Sequence, residues 1–489
     1  MRRLQTTLLG KSLAPLEQAL GQSLGLHKAV KQTGQPFDNP QNSALAVYLH
    51  ADQTGIQTKS RMLLQVGLQG STRRSGARPA MNIAVVLDLR GSLDKNTLKK
   101  IKDLLLALNK ARDIGDRFSL VLAGKAGGLI IKPEQFRHGH LSVAISKLSK
   151  QKDGPTLNLS TAMETAIASV SDSDDPTSAL GSSAVLLVTK QKIGAELEKI
   201  TTLAHQSAVA GIPVSTIALD KNVHFTELEQ IALAGQGNRR VLGQKHSTDE
   251  VVRRELSAVS EIVARAVRLR IRLAPGTKLI KVYGSYRLDE VHAERVRQAE
   301  QSIDRRLSRN LGIEADRGED EEGIQIVIPA FYADTAHVVL LDVVAEKPGP
   351  IADVTVRYKD LVHLRNGVNR ANLSLSRSLS RPGPLERNVI KNLLAFRMSL
   401  ALQSASSKLS EGKHAEGLIL VEEHLNLLRS FRDNISGYER DADLRTDIAL
   451  LMEYQRAFAL QGNYNLRKQI VDSLALAGKI KILPLPAKD

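Results

Sequence analysis

An aspartate at the end of an apolar stretch is the first residue of this chain that could do chemistry. In IAVVLDLRGSLD, residues 83–94, Asp88 follows the apolar run and Ser92 lies in the short turn after it. A carboxylate and a hydroxyl in one loop offer the oxygen ligands that Mg²⁺ prefers. Arg90 stands between them, so the loop carries its own cation where a metal ion would bind.

Two later segments carry polar residues that are expected to join this loop. DGPTLNLSTAM, residues 153–163, has Thr156 just before a predicted helix, and VLLVTK, residues 185–190, ends in Lys190. Loops at the carboxyl ends of parallel strands meet at one edge of an open sheet. The candidate site therefore contains Asp88, Arg90, Ser92, Thr156 and Lys190.

The elements that must position these residues alternate between strands and helices. Between Met81 and about Leu256, apolar runs such as IAVVLD and SAVLLVT are separated by amphipathic segments such as TLKKIKDLLLALNKA. Apolar strands between amphipathic helices are typical of a parallel sheet that is covered on both faces. We therefore predict an α/β fold with a doubly wound, mostly parallel, Rossmann-like sheet.

The sequence on either side of this region changes character. VRLRIRL, residues 267–273, alternates apolar residues with arginines and predicts a half-exposed strand. Beyond SRPGP, residues 380–384, the pattern is helical. We predict five parts: an N-terminal helix and linker at 1–43, strands at 44–80 that join a β-sandwich, the α/β domain at 81–260, the sandwich at 261–380 with a charged insertion near 291–322, and a C-terminal α-helical region at 381–489.

The order and spacing of these segments resemble the von Willebrand factor A (VWA) domain. That family carries Asp-x-Ser-x-Ser after one strand, a later Gly-x-Thr-x-Leu turn, and a strand ending in Thr-Asp, which together form a metal-ion-dependent adhesion site. IAVVLDLRGSL, GPTLNLSTAME, AVLLVTK and FTELEQIALAGQGN occur here in the family's order. With its flanking strands, the match covers about Ala44 to Val362 and is similar to the bacterial calcium-activated-chloride-channel-like subgroup.

The resemblance implies a degenerate site. Asp88, Ser92 and Thr156 match the motif, whereas Arg90 replaces its first serine and Lys190 replaces its later aspartate. Two oxygen ligands are lost and two positive charges are gained, so we expect no Mg²⁺ and no other cofactor. Either Arg90 or Lys190 is expected to pair with Asp88 in place of the ion.

Several functions remain open for such a site. The first is a non-enzymatic scaffold whose VWA domain binds another protein without metal, through an acidic residue of the partner, in the assembly of a protein complex. The second is a metal-dependent adhesion or ligand-binding protein. In a third interpretation, the charges of a decayed site merely neutralise Asp88.

Composition limits the other classes. The 489-residue chain has a formal charge of +16, which favours anionic partners, but only 3% of its residues are aromatic. Because base-stacking sites need aromatic side chains, a nucleic-acid or anion binder is the weaker alternative. The chain has no cysteine, which excludes disulfides, thiolate zinc sites and cysteine nucleophiles, and we predict no enzyme. Without a membrane-spanning run or a convincing export signal, we predict a cytoplasmic protein, or a cell-envelope protein if the start site is misassigned.

Overall fold

The computed structural model contains two compact units, each of which is described by itself. One unit comprises Pro36–Glu386, and the other comprises Arg387–Leu483 together with residues 33–35. The described residues are 33–72, 80–135, 156–171, 183–219, 225–283 and 323–482, apart from gaps at 92–93, 114, 243–246 and 460–463, with scattered positions between 139 and 148 and between 298 and 313. The predicted N-terminal helix and most of the predicted charged insertion lie outside these residues.

A six-stranded sheet forms the centre of the α/β domain. Two strands precede it in the chain, β1 (Leu45–Ala51) and β2 (Ser60–Gly70), and belong to the sandwich described below. The sheet itself contains β3 (Asn82–Leu89), β4 (Arg117–Gly124), β5 (Gly128–Gln135), β6 (Ser183–Thr189), β7 (Val214–Ala218) and β8 (Gln236–Val241). Its order is β5-β4-β3-β6-β7-β8, and all neighbours are parallel except β5, which runs antiparallel to β4. The predicted doubly wound, mostly parallel α/β fold is confirmed.

Strand β3 is buried on both faces, which explains its continuous apolar sequence. Ile83, Val85 and Leu87 belong to one core cluster, and Ala84 and Val86 belong to another. The flanking helices are α1 (Lys95–Ala111), α2 (Leu159–Ser171), α3 (Leu197–Val209), α4 (Phe225–Ala234) and α5 (Thr248–Ser260). Helices α1 and α5 cover the first cluster, and α2, α3 and α4 cover the second. Each buried aliphatic side chain contributes roughly 1.5–3 kcal/mol, so the two layers hold the strand ends in place.

Two four-stranded sheets form a β-sandwich in the same unit. Its later strands are β9 (Ile262–Leu273), β10 (Thr277–Tyr283), β11 (Ile324–Tyr332), β12 (Ala336–Ala345), β13 (Gly349–Asp360) and β14 (Arg365–Leu375). The strand orders are β1-β2-β12-β10 and β11-β9-β13-β14. One apolar core joins the sheets, with Leu64 and Val66 from the first and Val267 and Leu269 from the second. Strands from before the α/β domain are therefore part of the sandwich that follows it.

Four strands, β5, β8, β10 and β14, were not indicated by the sequence patterns. Each lies at the edge of its sheet. An edge strand is partly exposed and has a hydrogen-bonded neighbour on one side, so its sequence need not be apolar. Strand β5 contains Pro133, which an edge position tolerates, and β8 has the polar sequence QGNRRV.

The second unit is helical. Its helices are α6 (Pro384–Ser410), whose first turn belongs to the other unit, α7 (His414–Asn434), α8 (Ala442–Ala459) and α9 (Tyr464–Ile482). Helices α6 and α9 approach closely at Gly478, whose carbonyl accepts a 2.6 Å hydrogen bond from the Ser399 hydroxyl. A buried ion pair joins Lys481 on α9 to Asp447 on α8, with 2.6 Å between nitrogen and oxygen.

Candidate functional site

Asp88 lies at the carboxyl end of β3, between β4 and β6, and its side chain is fully buried. Its Oδ2 atom accepts a 2.7 Å hydrogen bond from the hydroxyl of Thr189, the last residue of β6. We call the described loop residues at this edge, 88–91, 94, 124–128, 156–160 and 189–196, the crest. A buried carboxylate is costly unless it is paired, so the charge of Asp88 requires a cation within the crest.

Arg90 supplies that cation. Its Nε atom donates to Asp88 Oδ1 at 2.8 Å, and its Nη2 atom donates to Asp88 Oδ2 at 3.0 Å. These hydrogen bonds to Asp88 raise the pKa of Arg90 and outweigh the opposing effect of partial burial. Nη2 also donates to the carbonyl of Lys192 at 3.2 Å, which ties the guanidinium to the loop after β6. The sequence allowed either Arg90 or Lys190 to pair with Asp88, and the structure selects Arg90.

Glu196 is a crest residue that the sequence patterns missed. It ends a short 3-10 turn, Gly194–Glu196, and its Oε1 atom accepts from Arg90 Nη1 at 2.9 Å. The same carboxylate accepts from the backbone N–H groups of Ser160 at 2.8 Å and Leu159 at 3.4 Å, at the start of α2. Burial acts to raise the pKa of Glu196, but these hydrogen bonds and the Arg90 charge lower it overall. In the sequence, Glu196 looks like an ordinary helix residue, and only the fold brings it to Arg90.

Lys190 has different partners from those of Arg90. Its Nζ atom donates to Asp94 Oδ2 at 2.7 Å and to Thr97 Oγ1 at 2.8 Å. Asp94 also caps α1, because its Oδ1 atom accepts from the backbone N–H of Thr97 at 2.7 Å. The pKa of Asp94 falls well below its usual range, chiefly through the hydrogen bond from Lys190. Lys190 therefore pairs with Asp94, the N-cap residue of α1, rather than with Asp88.

The remaining predicted residues are Thr156 and Ser92. Thr156 is exposed at the crest, whereas Ser92 lies outside the described residues. The neighbouring Leu157 is held by two backbone hydrogen bonds to Gly124, at 2.7 and 2.9 Å. Gly124 has a φ of 117°, and a Cβ atom there would lie 2.6 Å from the carbonyl oxygen of Leu89. A glycine at this position lets the end of β4, to which Leu157 is hydrogen-bonded, lie close to the end of β3.

Two kinds of feature are absent from the described residues. No group of three or more His, Cys, Asp or Glu side chains that could hold a metal ion occurs among them. Within the same part of the chain, none of the helices combines the length and hydropathy that a membrane-spanning segment needs.

Comparison with known proteins places the central sheet in a family. Residues 82–253 match the family model described as von Willebrand factor type A domain. The chain is similar to a solved structure described as von Willebrand factor type A from Catenulispora acidiphila, with 13% identity and a TM-score of 0.51 over 85% of this chain and 98% of that one. It is also similar to the ArnB paralog VWA2 from Sulfolobus acidocaldarius, with 15% identity and a TM-score of 0.47 over 91% of this chain and all of that one. Among curated proteins, no match was found.

The family match spans the strands and helices that build the crest. It begins at β3, which carries Asp88, and ends within α5. VWA domains are in general non-enzymatic modules for adhesion and protein interaction. Residues 82–253 of this chain are therefore a VWA domain.

Proposed function

We propose that this VWA domain binds another protein without a metal ion and serves in the assembly of a protein complex. The observation that carries the proposal is the position of the Arg90 guanidinium, which hydrogen-bonds the carboxylates of both Asp88 and Glu196. A bound cation normally balances the acidic residues of a metal site. Here a side chain of the protein balances them.

The residues present do not fit a divalent cation. Mg²⁺ requires near-octahedral oxygen coordination at about 2.0–2.1 Å. Both oxygens of Asp88 already accept hydrogen bonds from Arg90, and Oδ2 accepts a further one from Thr189. A cation about 4 Å from the guanidinium would be repelled by about 4 kcal/mol per unit charge at the effective dielectric of a protein surface. We therefore expect the domain to act in its metal-free form.

The charge of the crest favours an acidic partner. Lys125 and Lys192 are exposed in the loops after β4 and β6. The carbonyl of Lys192 accepts from Arg90, and Lys125 follows Gly124, whose backbone lies against that of Leu89 and Arg90. Lysines at the rim of an interface attract acidic residues and speed association. The proposal therefore names a partner protein that presents a carboxylate side chain to the crest.

We also propose a subgroup for this VWA protein, on the basis of the strands that flank the domain. Strand β2, before the VWA domain, pairs with β12 of the sandwich that follows it, as Leu64 does with Leu341, and β1 pairs with β2. This organisation supports assignment to the bacterial calcium-activated-chloride-channel-like subgroup, with a VWA domain whose adhesion site is degenerate.

A metal titration tests the proposal. Thermal unfolding of the wild type is measured with Mg²⁺, with Mn²⁺ and with EDTA, and compared with the double variant Arg90→Ser plus Lys190→Asp, which restores the family motif. The wild type is expected to show the same midpoint in all three conditions. The double variant is expected to gain stability with Mg²⁺, since a ligand that binds only the folded state stabilises it.

A matched control separates metal binding from a simple change of charge. Arg272→Ser plus Lys278→Asp changes the net charge equally on exposed ion pairs of the sandwich, which are 59% and 73% exposed at the cationic side chain. This variant should not respond to metal. A wild-type midpoint that rises with Mg²⁺ and falls with EDTA would overturn the proposal. Affinity purification from the native host, with wild type and crest variant in parallel, then tests whether partner capture depends on Arg90 and Lys190.

A further inference from the structure

Three hydrogen-bond donors in the crest converge on one carboxylate. They are the Nη1 group of Arg90 and the backbone N–H groups of Ser160 and Leu159, and the carboxylate is that of Glu196. The N–H groups belong to the first turn of α2, where the helix dipole also favours a negative charge. The arrangement is a complete binding site for a carboxylate, and a residue of the same chain fills it.

We infer that Glu196 is an internal ligand that keeps the crest self-occupied, and that a carboxylate of the partner must displace it to bind. This inference rests on the proposed function, because it specifies how a protein partner engages the metal-free crest. The guanidinium of Arg90 has five N–H groups. Its Nε and Nη2 atoms donate to Asp88, and its Nη1 atom donates to Glu196. A second carboxylate can obtain a charged hydrogen bond from Nη1 by taking the place of Glu196.

The surroundings of Glu196 permit such an exchange. The side chains of Arg90 and Glu196 are 23% and 24% exposed, whereas that of Asp88 is completely buried. A released Glu196 would be solvated by water, while a released Asp88 would leave a buried charge without a partner. The exchange therefore affects Glu196 and leaves the Asp88–Arg90 pair intact.

Open space borders the short turn that carries Glu196, whereas the residues on either side of the turn are held in place. Gly194 has a φ of 68°, and a Cβ atom there would meet nothing within 4 Å. The residue before it is fixed, because the backbone N–H of Ile193 donates to Glu227 Oε2 at 2.7 Å. Leu197, directly after Glu196, packs against the core of the domain, so the Glu196 carboxylate leaves Arg90 by rotation of its side chain while the backbone stays in place.

An internal ligand competes at a high effective concentration, of millimolar order or more for a short connection. Removing it should therefore reveal affinity for small external carboxylates. The test uses sodium acetate as the probe, with sodium chloride at equal ionic strength as the reference. The full-length wild type, Glu196→Ala, and the control Glu198→Ala, which removes an exposed glutamate two residues away, are titrated in parallel. Binding is followed by the backbone amide NMR signals of Leu159 and Ser160.

Glu196→Ala is expected to bind acetate at least about tenfold more tightly than the wild type or Glu198→Ala, because the competing carboxylate is gone. Adding Arg90→Gln to Glu196→Ala should abolish that gain. If Glu196→Ala fails to fold, Glu196→Gln carries the same comparison, since it retains the shape and removes the charge. Equal acetate affinity in wild type and variant, or an equal response to chloride, would overturn the inference. A wild type stabilised by Mg²⁺ would instead overturn the proposed function, so the two failures are distinguishable.

Discussion

Asp88 and Arg90, two residues apart in the chain, form an ion pair in which both carboxylate oxygens accept from one guanidinium, at 2.8 and 3.0 Å. The Asp88 side chain is fully buried and the Arg90 side chain is 23% exposed. A pair of this kind contributes less than its short distances suggest, because both charges lose water. Removing only Arg90 is costly, because the charge of Asp88 then stays buried without a partner.

The first prediction concerns the removal of Arg90 alone, compared with the loss of an exposed ion pair. Arg90→Ala should destabilise the unit that contains the VWA domain by about 3–5 kcal/mol, because it leaves the buried charge of Asp88 without a partner. Arg272→Ala breaks the exposed pair with Asp353 and should cost about 1 kcal/mol or less. Urea unfolding in the presence of EDTA measures both and prevents a metal from compensating. Similar small losses for the two variants would show that Asp88 has another source of charge balance.

The second prediction concerns pH. Burial, followed by the nearby charges of Arg397 and Lys481, lowers the pKa of His424 from 6.5 to about 4. The folded state therefore resists protonation that the unfolded state accepts. Stability is fully retained above pH 6.5 and falls as the pH drops towards 4, by about 3 kcal/mol in all.

The variant His424→Phe should remove this part of the pH dependence in the helical unit. Hydrogen exchange of amides in α7, measured between pH 7 and pH 4.5, follows that unit separately from the other. His205→Phe replaces an exposed histidine outside the helical unit, in the VWA domain, and serves as the control for exchange within α7. An unaltered slope in His424→Phe would mean that other groups cause the acid sensitivity.

The third prediction concerns the buried pair of Lys481 and Asp447, whose side chains are 1% and 8% exposed. Lys481→Met alone should destabilise the helical unit by about 3–5 kcal/mol, because Asp447 loses its partner. The double variant Lys481→Met plus Asp447→Leu should recover most of that loss, since no charge is then left in the core. A double-mutant cycle by urea unfolding measures the coupling. If the losses of stability in the two single variants simply add in the double variant, the two side chains are not coupled and the prediction is wrong.

The fourth prediction concerns Leu364, in the turn between β13 and β14. It has a φ of 54° and is 46% exposed, so it bears the strain of a left-handed conformation without the benefit of burial. Leu364→Asn should raise the free energy of unfolding by about 0.5–1 kcal/mol, because asparagine tolerates this conformation better. Val368→Asn, at an exposed strand position of the same hairpin, should give no gain. Thermal unfolding of both variants provides the comparison.

Much of the architecture could be predicted because its signals are local. The continuous apolar sequence of β3 follows from burial on both faces, and the alternation of Arg268, Arg270 and Arg272 in β9 follows from partial exposure of one face. The edge strands β5, β8, β10 and β14 give no comparable signal, because their position in the sheet, rather than their composition, makes them strands.

The sequence by itself determined that Asp88, Arg90 and Lys190 would meet at one edge of a parallel sheet, since each follows the carboxyl end of a strand or closes one. It could not decide which cation would pair with Asp88, because both were close enough in the topology. Only the tertiary structure placed Arg90 on Asp88 and Lys190 on Asp94. Only the tertiary structure brought in Glu196, which is 106 residues from Arg90 and has no motif of its own. Side-chain reach across loops is a property of the folded chain, and residue spacing does not encode it.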